Sequence, residues 1–124
     1  NHCEYYHDNK NKQRAEMALN ILEQIKSGRV DVTSFTIEHI LPDSQDRENA
    51  MIGNLIPLEE NLNSLCKDKE LHEKIPIYNR SYFSTARNVS NRYKGNEANF
   101  KINSRSTIMA DNLYDEISHI LNAL

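Results

Sequence analysis

A chain of 124 residues, 38% of them hydrophobic, holds enough apolar side chain for one modest core. It has no run approaching the ~18 consecutive apolar residues of a membrane span, and its opening NHCEYYHDNK lacks the apolar stretch of a secretion signal, so a cytoplasmic location is expected. The net charge of −3 conceals a division: residues 1 to 63 carry 6 Lys and Arg against 11 Asp and Glu, residues 64 to 105 carry 9 against 4, and residues 106 to 124 carry 0 against 3, which leaves the middle basic by 5.

The chain begins with asparagine, and the expectation is a piece of a longer protein. Cys3 and Cys66 stand far apart without CxxC spacing, so neither a disulfide framework nor a four-cysteine zinc site is written here. In KQRAEMALNILEQIKSG, residues Ala15, Ala18, Leu19, Leu22 and Ile25 recur at steps of three and four, which predicts a helix that Gly28 ends. The period changes in DVTSFTIEHILP, where Phe35, Ile37 and His39 alternate with Thr36, Glu38 and Ile40; this predicts a strand with His39 near its exit, stopped by Pro42. The polar loop DSQDRENA leads through Gly53 into a second strand, Leu55 to Leu58, and a helix opening around Glu59 to Asn63. Two short helices broken at Pro76 are expected next, the second ending at Gly95. A closing helix places Ile108, Met109, Leu113, Ile117, Leu121 and Leu124 on one face, for packing on the core.

The basic segment interleaves Arg80, Arg87, Arg92, Lys94, Lys101 and Arg105 with Tyr78, Tyr82, Phe83, Tyr93 and Phe100, a mixture that neutralises phosphates and covers sugars or bases. A solvated helix face is the plainer alternative for such a charge run. His2, His7, His72 and His119 show no spacing that converges on one site.

Strand, loop, strand, helix, with a histidine leaving the first strand and asparagines at the second strand and helix, is the plan of a ββα metal finger. In IEHILP, IGNLIPLEENLNS, KDKELHEK, YNRSYF and INSRSTIMA, from about Phe35 to about Tyr114, the chain resembles the HNH (His-Me finger) nuclease domain at the C-terminus of GmrSD-type modification-dependent restriction endonucleases. The resemblance implies an α+β fold, mostly helical, with the finger over residues 35 to 68 embedded in one domain spanning 1 to 124. Residues 1 to 30 would form a helical lead-in, and 69 to 124 a helical region for DNA contact and packing.

By the same resemblance His39 would be the general base, Asn54 would brace the loop and orient His39, and Glu38 and Asn63 would hold a divalent cation, Mg²⁺ or Mn²⁺. Asn61 is the alternative to Asn63. Lys74 would meet a phosphate, with Lys67, Lys69, Arg80, Arg87, Arg92 and Lys94 as further nucleic-acid contacts. The chemistry asks for such groups: an unperturbed imidazole titrates near ~6.5 and accepts a proton from water at neutral pH, and a hard cation prefers oxygen ligands. Adjacent strand residues point to opposite faces, so Glu38 and His39 share a site only if the strand ends or twists between them. Two departures stand out. The zinc-binding cysteine pairs of many HNH domains are absent, leaving Phe35, Ile37, Leu55 and Leu58 to hold the finger. Asp68 and Leu71 replace residues of the usual NKxFxxK-like stretch, and Asp68 either adjusts a ligand or caps the helix.

The expected function is a metal-dependent DNA-nicking domain of a restriction or phage-defence protein. Its partners would be DNA, modified DNA included, and N-terminal domains of the same protein; a single finger nicks one strand, and double-strand cuts need two copies. The rival readings are a catalytically weak DNA-docking module and an RNA-directed nuclease or toxin.

Overall fold

The computed structural model describes residues 9–28, 34–41 and 51–123. Five α-helices surround a two-stranded antiparallel sheet: α1 (Asn9–Ser27), β1 (Thr36–His39), β2 (Leu55–Leu58), α2 (Glu60–Cys66), α3 (Leu71–Tyr78), α4 (Ser84–Tyr93) and α5 (Ile102–Ala123). Short 3-10 turns at Ile52–Asn54 and Glu97–Asn99 precede β2 and α5. The fold is thus α+β and mostly helical, and none of its described helices is long and apolar enough to cross a membrane.

The sheet is small, but it divides two cores. Its register pairs Thr36 with Leu58, Ile37 with Pro57, Glu38 with Ile56, and His39 with Leu55. Ile56 and Leu58 enter a cluster with Leu62, Leu71, Ile75, Tyr78, Phe83 and Val89 from α2, α3, α4 and the turn between the last two. Ile37 and Leu55 enter a second cluster with Ala15, Leu19, Leu22 and Met109 from α1 and α5. Successive strand residues face opposite ways, so Thr36 and Glu38 look toward α2–α4 while Ile37 and His39 look toward α1 and α5. This burial on both faces explains why every residue of β2 is buried although the sheet has only two strands.

Local chemistry sets the element ends. Gly28 and Gly95 take positive φ of 73° and 72° just beyond α1 and α4, as the periodicity predicted. Asp68 is the one described non-glycine residue with positive φ, at 61°; with Lys67 at φ −50° and ψ 125° and Lys69 N–H donating to Cys66 O at 3.0 Å, it forms a type II turn that ends α2. Gly53 is needed for close approach: a Cβ there would collide with Ile102 O and with the Ser106 hydroxyl, which accepts from Gly53 N–H at 2.8 Å.

Three expectations are corrected. Pro76 does not break a helix but lies inside α3, whose apolar face of Leu71, Ile75 and Tyr78 is buried and whose start is fixed by Glu70 N–H donating to Glu73 Oε1 at 3.0 Å; the chain turns after Tyr78 instead. The closing helix packs through Ile102, Ser106, Met109 and Leu113, whereas Ile108, on the wall of a cleft, and Ile117 and Leu121, further along the helix, are exposed. Of the five aromatics read as a covering for sugars or bases, Tyr78, Phe83, Tyr93 and Phe100 are core residues and only Tyr82 is exposed. His2, His7, Cys3, Pro42, the loop after it and Leu124 fall outside the described residues.

Candidate active site

The geometry centres on the exit of β1. His39 is the last residue of the strand, half-buried, with its Nε2 shielded from solvent. The main chain at His39 and just beyond it is held by residues distant in sequence. Lys74 Nζ donates to His39 O at 2.7 Å and to Ile40 O at 3.1 Å. Ile40 N–H donates to Asn54 O at 2.8 Å, and the Asn54 side chain closes a two-way bridge to Leu41, accepting its N–H at 2.8 Å and donating to its carbonyl at 3.1 Å. Asn54 is fully buried, so these are strong constraints on the turn that leaves the strand.

Asn63, one turn into α2, donates through Nδ2 to Thr36 Oγ1 at 2.8 Å and to Ile37 O at 3.2 Å. The carbonyls of Ile37 and His39 therefore point away from β2, and Asn63 and Lys74 cover the outer edge of β1 where a further strand would otherwise pair. The same alternation places Pro57, which has no N–H, opposite Ile37 in the non-hydrogen-bonded position of the ladder.

Glu38 lies on the other face. Its Oε2 meets Lys74 Nζ at 2.8 Å and accepts from Tyr78 Oη at 2.7 Å, and the Cys66 thiol faces the same carboxylate. Burial, and then the Glu38 charge, push the Cys66 thiol up to about 12 and raise the Tyr78 hydroxyl well above its ordinary range, so both remain proton donors to Glu38. Lys74, read from sequence as a phosphate contact, is buried, with its ammonium engaged by Glu38, His39 O and Ile40 O.

Of the other cations read as nucleic-acid contacts, Lys67, Arg80, Arg92 and Lys94 are exposed and Lys69 is half-buried. Arg87 instead fastens the turn before α4, with Nη1 donating to Ser81 O and Tyr82 O, both at 2.7 Å. Arg105 reaches the sheet from α5, donating through Nη1 to Gly53 O at 2.9 Å and Leu55 O at 3.1 Å; burial lowers it to about 10.

Two carboxylates escaped the sequence reading. Glu23 of α1 accepts from Ser84 N–H, Thr85 N–H and the Thr85 hydroxyl, fixing the start of α4 where the helix dipole favours an anion. Glu59 accepts from the Ser81 hydroxyl at 2.6 Å and Tyr82 N–H at 2.7 Å. The signal was available for Glu23, which follows Leu19 and Leu22 at helical spacing and so falls on the buried stripe.

Comparison with protein families matches residues 2–112 to the model described as GmrSD restriction endonucleases, C-terminal domain. The chain belongs to this family. Neither curated proteins nor solved structures gave a match. A GmrSD C-terminal domain is a nuclease domain of a restriction endonuclease, with DNA as its substrate, and restriction endonucleases generally use a divalent cation. The expected cation ligands do not fit one as they are arranged in this GmrSD domain. The Glu38 oxygen nearest α3 already holds an ammonium and a phenol, and His39 faces the opposite side of the sheet from Glu38. Among the described residues no group of three or more His, Cys, Asp or Glu is placed to hold a metal ion.

Proposed function

We propose that the domain is a phosphodiester-hydrolysing DNA endonuclease of the HNH, or His-Me finger, type, in which His39 is the general base. The order β1, β2, α2, with the histidine at the exit of the first strand, supports this finer assignment within the family. The observation that carries it is the fixation of the chain as it leaves His39: Lys74 holds the carbonyls of residues 39 and 40, and Asn54 holds residues 40 and 41. A base must hold its position within a fraction of an ångström of the water it activates, and a clamped backbone achieves this without engaging the imidazole.

Asn54, Lys74, Glu38 and Asn63 are positioning residues in this reading: they hold the strand and its exit. Mg²⁺ or Mn²⁺ is the cofactor proposed on the family's general use of a divalent cation, with ligands other than Glu38 and Asn63 as they are arranged here. The cytoplasm is the proposed location, and further domains of the same protein the proposed source of target choice.

The test is nicking of supercoiled plasmid with Mg²⁺ or Mn²⁺ against EDTA. His39→Ala is expected to lose roughly 10² to 10⁴ in rate while keeping its thermal unfolding curve. Unchanged nicking by that variant removes His39 from the role. Absence of metal-dependent nicking in the parent, with DNA binding retained, replaces the reading by a docking module, and preference for RNA replaces the substrate.

A further inference from the structure

A cleft of about 540 Å³ opens between α1, α4 and α5. Its charge is one-sided: among the described residues Lys26, Arg92, Lys101 and Arg105 line it, and no carboxylate does. Three amides stand among these cations, Asn88, Asn112 and Asn99, the last with its Nδ2 donating to Asn96 Oδ1 at 2.6 Å, and the floor is apolar, formed by residues such as Leu22, Val89 and Met109. Lys26, Arg92 and Lys101 are exposed at the rim, whereas Arg105 is fixed inward on the carbonyls of Gly53 and Leu55.

This combination selects a ligand class. Four cations without a counter-charge favour an anion. An apolar floor with amide edges favours a flat heteroaromatic ring whose rim carries donors and acceptors, because asparagine matches such a rim with paired hydrogen bonds. The volume falls within the roughly 300 to 1,000 Å³ of small-ligand sites and suits one nucleotide.

We infer that the cleft between α1, α4 and α5 binds one phosphorylated nucleoside. Its phosphate lies at Arg92 and Lys101, and its base lies on the apolar floor within reach of the amides. The nucleotide is either a unit of the DNA strand being processed or a free mononucleotide. Only the first source rests on the nuclease reading. Geometry favours it: the cleft shares Leu22 and Met109 with the core under the His39 face of the sheet, and Arg105 ties its wall to Leu55, the residue paired with His39.

The experiment is an NMR titration of the full 124-residue chain with thymidine 5′-monophosphate, inorganic phosphate and a short single-stranded DNA, following the Asn88, Asn99 and Asn112 side-chain amides. The expected result is a shift of these amides by the mononucleotide or the oligonucleotide, with affinity reduced about tenfold or more in Arg92→Glu/Lys101→Glu. That double variant should also flatten the dependence of log affinity for the oligonucleotide on log salt by about 2, one for each phosphate-facing cation removed. Lys12→Glu/Arg14→Glu, which changes two exposed cations outside the cleft, should leave the amide shifts in place. Shifts with the oligonucleotide alone assign the site to the strand; shifts with the mononucleotide as well assign it to nucleotides in general. Equal binding of inorganic phosphate and mononucleotide overturns the inference, as does absence of shifts with every probe. Plasmid nicking without cleft shifts removes this inference and leaves the nuclease reading; cleft shifts without nicking do the reverse.

Discussion

Replacing Lys74 by methionine separates a buried frame from a phosphate contact. The Lys74 and Glu38 side chains are 3% and 6% exposed and 2.8 Å apart, so solvent screens the pair little. Removing the ammonium leaves a buried carboxylate with only neutral donors and takes the donor from His39 O and Ile40 O. Breaking one side of a buried ion pair costs about 3 to 5 kcal/mol, a large part of the ~5 to 15 kcal/mol that holds a domain folded. The expected fall in Tm is roughly 10 to 20 °C by circular dichroism. Adding Glu38→Gln removes the stranded charge and keeps an acceptor for Tyr78, so the double variant should regain about 2 kcal/mol. A lysine at a phosphate behaves differently, since its loss lowers the slope of log DNA affinity against log salt by about 1 and leaves folding intact. A Lys74→Met chain with unchanged Tm and a reduced salt slope would refute the structural assignment.

Gly53→Ala should destabilise by about 1 to 3 kcal/mol in urea unfolding, because its methyl meets α5 backbone at Ile102; tolerance below ~0.5 kcal/mol would mean that α5 can shift away. Asp68→Gly should stabilise by a few tenths to about 1 kcal/mol in the same assay, since position three of a type II turn favours glycine at φ 61°, and a loss would show that the carboxylate itself contributes. Stability should fall as pH rises above about 9: the folded chain keeps the Cys66 proton to about 12 while the unfolded chain releases it from 9.0, so the contribution is complete below about 9 and about 1 kcal/mol is lost by about pH 10. Tyr78 adds to that loss above 10.0, while Arg105, lowered from 12.5 to about 10, opposes it there, so comparing unfolding at about pH 8 and about pH 10 isolates Cys66. Cys66→Ala should flatten the curve in that interval, and parallel curves for the two chains would sink the assignment.

Periodicity made α1, β1, β2 and α2 legible, because each buries one face or both and ends on a residue with a backbone reason, such as Gly28. The class of a side chain is not its environment, and the errors came from treating it so. Lys74 counted as a basic residue available to phosphate, yet it stands among Leu71, Ile75 and Tyr78 at helical steps on the buried side of α3, and that pattern was visible in the text. Phe83 and Tyr93 likewise have a type suited to stacking on bases and a position inside the core. The meeting of Lys74 with Glu38 across 36 positions had no local sign. Asn54 was more legible: the reading made it a brace for the loop, and its buried bridge to Leu41 is a contact of that kind.

The two faces of the small sheet divide the work, and the division bears on why an ion pair is buried there at all. Buried ion pairs are poor sources of stability, since a well-packed apolar pair of similar volume often does as well or better. An apolar pair could not, however, supply three donors at one point. The Lys74 ammonium engages a carboxylate and two consecutive main-chain carbonyls, those of residues 39 and 40, and Glu38 supplies the counter-charge that permits it there. The charged frame thus lies on the α2–α4 side, while the side chain of His39 turns to the α1 and α5 side. The pair therefore contributes direction rather than stability: it fixes the path of the chain through His39 from the face opposite its imidazole.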